Sequence, residues 1–154
     1  MSITTDWAAL YEDLHRHPEL SFEENRTAGI VADSLRESGF EVETGVGRTG
    51  VVGVMRNGDG PTVLVRADMD ALPVTEDTGL AYSSTVEGVA HACGHDVHVT
   101  CLLAACAELA TSRDTWAGTL LAVFQPAEEL ILGARAMLDD GLYARFGTPS
   151  VVLG

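Results

Sequence analysis

Three short polar clusters carry residue types and spacings suited to chemistry. They are Asp68-Met69-Asp70, His91-Ala92-Cys93-Gly94-His95-Asp96 and Gln125-Pro126-Ala127-Glu128-Glu129. Thiolate and imidazole are preferred ligands of borderline divalent metals. Cys93 and His95 are two residues apart and cannot share a face of a regular helix. At a loop-to-helix entry, with Gly94 easing the backbone, both side chains can point into one pocket. The Glu128–Glu129 pair allows a division of labour, in which one carboxylate ligates a metal and its neighbour acts as general base on water. Asp70 is either a ligand or a group that orients one. Each cluster also has a plain structural explanation: a polar turn with a helix cap, a charged helix N-terminus whose dipole suits carboxylates, and an Asx-turn. Taken together they supply thiolate, imidazole and carboxylates, and metal-assisted hydrolysis fits that set better than other reaction classes.

The rest of the composition narrows the field. The nine basic residues are all Arg, and without Lys neither Schiff-base chemistry nor a P-loop phosphate site can be built here. A formal net charge of −14 sets the chain against nucleic-acid backbones. No apolar run reaches the roughly 18 residues of a membrane helix. Met1–Leu10 has no basic stretch leading into an apolar core, so a cytoplasmic address is expected. The three cysteines, at 93, 101 and 106, argue against a disulfide framework. Cys101 and Cys106 read as small core residues of one helix.

Elements must position these clusters. The apolar spacing predicts a short helix over Asp6–His15, ended by His17-Pro18. A capping box at Ser21 and Glu24 then opens a helix running to about Ser38, with Ile30, Val31 and Leu35 inward and Gly39 as its stop. Strands are expected at Phe40–Val46, Val51–Met55, Thr62–Ala67 and Gly118–Phe124, and a last one at Ser150–Leu153. Helices are expected over His95–Ser112 and Gly133–Asp140. The run Thr62-Val63-Leu64-Val65 reads as buried on both faces. Alternating strands and helices define an α/β class with a mostly parallel or mixed sheet and flanking helices. The polar clusters fall at strand ends, where open α/β sheets gather their sites.

Four segments of the chain resemble the M20 metallopeptidases, specifically their amidohydrolase branch of hippurate hydrolases, N-acyl-amino-acid amidohydrolases and auxin-conjugate hydrolases. The segments are Leu14–Ser21, Arg66–Pro73, His91–Asp96 and Gln125–Glu129 with Gly133-Ala134. The resemblance implies a zinc-exopeptidase-like catalytic domain and a pair of divalent metals (manganese, zinc, nickel or cobalt). It implies Cys93, His95 and Glu129 as metal ligands and Glu128 as general base, with Asp70 beside the metals in a catalytic role. Asp68 stands where many relatives have a ligand His and stays unassigned. The resemblance further implies a small N-acyl amino acid or amide as substrate, and a homo-oligomer for the full-length form. Residues 1–154 then correspond to the N-terminal part of a truncated catalytic domain. A lid and dimerisation domain and the C-terminal half, with two more ligand His, are expected beyond it. Two alternatives stand beside this reading: a catalytically incomplete remnant, and a metal-free hydrolase using Cys93 as nucleophile with His95.

Overall fold

The computed structural model describes residues 6–154. The expectation about a leader at Met1–Leu10 falls partly on residues 1–5, outside the described residues. Helix α1 (Trp7–Arg16) starts at Asp6, whose side chain accepts from Ala9 N at 3.1 Å. Helix α2 (Asn25–Glu37) buries Val31 and Leu35 completely. The i, i+4 spacing puts both on one face, and burying each is worth about 1.5–3 kcal/mol. Strands β1 (Glu41–Val46) and β2 (Gly50–Asn57) form an antiparallel hairpin. Strand β3 (Thr62–Asp68) is followed by helix α3 (His95–Thr111), strand β4 (Gly118–Gln125), helices α4 (Gly133–Asp139) and α5 (Leu142–Phe146), and strand β5 (Val151–Leu153). Helix α5 was not expected.

The strands make one mixed sheet in the order β1-β2-β4-β3-β5. β4 runs antiparallel to β2 and parallel to β3, and β3 runs parallel to β5. One face packs on α1, α2 and α3 through Val31, Leu35, Val51, Met55, Leu103 and Phe124. The other packs Val52, Val54, Leu121 and Val123 against Met137 and Leu142. Leu64 is buried, but Val63 and Val65 are only half-buried, so β3 is less enclosed than its apolar run suggests. Strand β5 pairs with β3 and leaves Val151, Val152 and Leu153 exposed.

Two expectations are corrected. Cys106 lies in the core, but Cys101 is exposed. Five residues turn a helix through about 500°, so the two thiols point roughly 140° apart. The Ser21–Glu24 capping box does not form: the Glu24 side chain makes no cap bond, and the Glu19 carboxylate accepts from Arg26 N at 2.8 Å and Thr27 N at 2.7 Å in the first turn of α2 instead. Ser21 and Glu24 are both drawn into long-range contacts instead, described below.

Residues 69–94 link β3 to α3 with no helix or strand of their own. Bridges Leu20–Ala71 and Leu72–Ala90 pin this segment. Bonds from Thr85 N and Oγ1 to the Arg16 carbonyl tie it to the end of α1. Long segments of this kind are commonly functional.

Candidate metal centre

The parallel pair β3 and β4 aligns Asp68 with Gln125, so the first and third polar clusters emerge side by side at the carboxyl ends of these strands. Helix α3 starts at His95, preceded by Gly94 at φ 82°. That left-handed value suits glycine, and it brings His95 onto the same sheet end.

His95 is the hub. Its side chain is 5% exposed, and its Nδ1–H donates to the Asp70 carbonyl at 2.8 Å. This fixes the ring and aims Nε2 at three carboxylates: Asp68 Oδ2 at 3.6 Å, Glu128 Oε2 at 3.7 Å and Glu129 Oε1 at 3.9 Å. Burial opposes charge on this imidazole. Hydrogen bonds to Asp70 and the charges of Asp68 and Asp70 outweigh that and raise it to about 9. The site therefore favours positive charge at the point where the carboxylates meet. Glu129 Oε1 is buried with no hydrogen-bond partner, a costly state that a cation relieves. Ligand atoms of His95, Glu128 and Glu129 lie within 4.8 Å of one another. A second group, Asp68, His95 and His98, is as close. There His98 Nδ1 bonds Asp68 Oδ1 at 2.6 Å, and Arg66 bonds the other Asp68 oxygen at 3.1 Å. A divalent cation fits this donor set.

Cys93 is exposed and belongs to neither group of three. Its thiol faces Glu129. The hydrogen bond to that carboxylate, with burial and the charges of Glu129, Glu128 and Asp68, pushes it up to about 11. A cysteine nucleophile needs the opposite shift.

Asp70 has no exposed side-chain surface. Oδ1 accepts from Glu128 N at 3.0 Å, and Oδ2 accepts from Glu129 N at 3.0 Å and from Ser21 Oγ at 2.7 Å. Burial would raise this carboxyl. The bonds from His95, Ser21 and the two amides prevail and hold it at about 2. With both oxygens committed to Ser21 and the Glu128 and Glu129 amides, Asp70 holds the loop from behind.

Glu128 and Glu129 sit in a turn and not at a helix N-terminus. The turn begins at Ala127, with φ 46°, and Ile131 has φ 57°. It closes on itself through Leu132 N and Gly133 N, which both donate to the Ala127 carbonyl, at 3.3 and 3.1 Å. A Cβ on Gly133 would overlap the Pro126 carbonyl oxygen. Replacing Gly133 by Ala should therefore destabilise the chain by about 1–3 kcal/mol through overpacking. It should also spread the turn, which urea unfolding and loss of divalent-cation affinity will read together.

Sequence reasoning left His98, Asp68 and Arg66 unassigned. His98 lies three residues after His95, a helical neighbour, and that spacing was the available signal. His91 is buried with both ring nitrogens unpartnered, and burial lowers its pKa. His15, from the first matched segment, bonds Asp96 at 2.6 Å and Glu76 at 3.3 Å. It braces the start of α3 and the 69–94 segment from behind the site.

A mixed sheet thus ends in one oriented imidazole and three carboxylates, a donor set suited to a divalent cation. Residues 64–154 match the profile of peptidase family M20/M25/M40, and the chain belongs to that family. It is 45% identical over 152 residues to the hippurate hydrolase of Campylobacter jejuni, covering 98% of this chain and 39% of that one. It is 42% identical over 129 residues to an N-acetyl-L-cysteine deacetylase of Bacillus subtilis, covering 83% of this chain and 31% of that one. The solved structure of a dinuclear metal-binding peptidase of the M20 family from Bacillus subtilis superposes with a TM-score of 0.84 at 39% identity. That match covers 90% of this chain and 39% of the other. The chain thus spans about two fifths or less of the length of these relatives. No helix among the described residues is long and apolar enough to cross a membrane.

Proposed function

We propose that residues 1–154 form the first part of the catalytic domain of a metal-dependent hydrolase that cleaves N-acyl amino acids or similar small amides. The observation that carries this reading is the convergence of three carboxylates on His95 Nε2, one of them with a buried, unpartnered oxygen. The names of the relatives, a hippurate hydrolase and an N-acetyl-L-cysteine deacetylase, support a small N-acylated substrate. Exposed Leu130, Ile131 and Leu132 beside Glu129 add an apolar rim suited to an acyl group. The proposal includes a cytoplasmic location, no nucleic-acid partner and a homo-oligomeric full-length enzyme.

Cys93, His95 and Glu129 would hold a divalent ion, one of a pair drawn from manganese, zinc, nickel or cobalt. Thiolate and imidazole lean the choice toward zinc, nickel or cobalt. When bound, the ion supplies a Lewis acid that polarises the amide carbonyl and acidifies water. The chain's own residues do the rest. Glu128, whose side chain is 41% exposed against 19% for Glu129, is the carboxylate that can reach a reactant. It takes a proton from the attacking water and returns it to the leaving amine nitrogen. Asp70 keeps the His95 ring and the Glu128–Glu129 backbone in register and acts as a positioning group. Three protein ligands suffice for one ion. A second would draw on donors beyond these three.

A cobalt titration of residues 1–154 tests the ligand set. Thiolate-to-cobalt absorption is expected on adding Co²⁺ to the wild-type chain. It should vanish in Cys93→Ser and require far more metal in His95→Ala. In the enzyme, a chelator should abolish amide hydrolysis and added divalent metal restore it. Activity that survives metal removal but is lost on thiol alkylation would sink the reading in favour of a Cys93 nucleophile.

A further inference from the structure

Glu24 has no exposed surface, and the hydrolytic chemistry above does not use it. It is the N-cap residue of α2, yet its side chain makes no bond to that helix. One of its oxygens accepts from the Thr49 hydroxyl, at the β1–β2 turn. The other accepts from Ala127 N at 2.8 Å, 103 residues away in sequence. Ala127 is itself fully buried and holds a left-handed backbone with φ 46°, which a non-glycine residue adopts only when its surroundings impose it. The next two amides, of Glu128 and Glu129, go to Asp70. Three consecutive backbone N–H groups are thus each held by a buried carboxylate from a distant segment. Asp70 fixes the two residues that carry the chemistry, and Glu24 fixes the backbone reversal that leads into them.

We infer that Glu24 is a positioning residue of the metal centre. Through Ala127 N it sets the direction from which Glu128 and Glu129 present their carboxylates to His95. This rests on the metal-hydrolase reading, but it is tested in a way that separates the two. Without Glu24 the Ala127 amide becomes a buried donor with no partner, and the turn is free to relax.

The test compares Glu24→Ala with Glu24→Gln and with Leu35→Ala in the 154-residue chain. Gln keeps an oxygen for Ala127 N, and its amide can donate to the Thr49 hydroxyl. Leu35→Ala creates a core cavity under α2, away from the turn. Co²⁺ affinity should fall about 10–100-fold in Glu24→Ala, as for other groups that orient metal ligands. It should recover most of that loss in Glu24→Gln and stay near wild type in Leu35→Ala despite a lower melting temperature. Hydrogen exchange at the amides of residues 127–129 should speed up about tenfold or more in Glu24→Ala, a shift equivalent to about 1.4 kcal/mol. Exchange within β2 and β4 should not change. Equal losses of affinity in Glu24→Ala and Leu35→Ala, or unchanged protection at 127–129, overturn the inference. If Glu24→Ala does not fold, Thr49→Val removes the hydroxyl that holds the other Glu24 oxygen, and it should give a smaller shift in the same direction. If the wild-type chain binds no cobalt, the metal reading fails, and the amide exchange alone decides whether Glu24 holds the turn.

Discussion

Replacing Glu128 by Gln should lower the rate of amide hydrolysis about 10²–10⁴-fold, the usual cost of losing a general base, while metal binding persists. Gln keeps the size and the hydrogen-bonding oxygen but cannot accept the water proton. The turn should survive the change, because Asp70 holds it through the Glu128 backbone amide and not through the side chain. Glu129→Gln should behave differently. The Glu129 oxygen beside His95 is buried and unpartnered, so neutralising it removes charge where a cation is required, and metal affinity should drop first. The measurement is a pair: turnover of an N-acyl amino acid by the enzyme, and cobalt affinity of residues 1–154. If the two variants lose metal equally, the assignment of base and ligand is wrong.

Asp70→Asn should destabilise the chain by about 2–4 kcal/mol at neutral pH. An amide nitrogen would confront the N–H of Glu128 or Glu129, and a buried donor loses its charged acceptor. The same carboxyl predicts a pH dependence. It ionises at about 2 in the folded chain, against 3.8 for an unperturbed group. A depressed folded value means that the contribution is fully present above about pH 4 and is lost as pH falls from there through 2. A shift of that size is worth about 2 kcal/mol. The stability gap between wild type and Asp70→Asn, read from urea unfolding at a series of pH values, should therefore narrow between pH 4 and pH 2. A gap that stays constant across that window would mean that Asp70 does not hold the turn as a carboxylate. Cobalt affinity should weaken in Asp70→Asn as well, because the Glu128 and Glu129 backbone depends on this carboxylate for its register.

The resemblance and the polar clusters together brought Cys93, His95, Glu128 and Glu129 forward as the residues to watch, because ligand chemistry is a property of residue type and short spacing. The elements were legible for the same reason. Apolar periodicity at Val31 and Leu35, or along Gly118–Phe124, is local and survives into the fold. What the sequence could not decide was which polar residues look inward. Ser21 and Glu24 have the spacing of a capping box, yet the better partners were remote: the Asp70 carboxylate for Ser21, and Thr49 with the Ala127 amide for Glu24. A local cap competes with every other donor and acceptor that folding brings near, and burial strengthens the long-range bonds. Asp70 and Asp68 share a strand end, but one is spent on backbone amides and the other faces His95 and Arg66. Residue type alone carries no sign of that division. The turn after β4 is a further case: Ala127 takes a left-handed backbone because carboxylates from two distant segments and the close approach of Gly133 to Pro126 leave it no other path. The sequence by itself determined which side chains can bind a metal and move a proton. Only the tertiary structure decided which of them meet, because that rests on hydrogen bonds between residues as much as 103 positions apart.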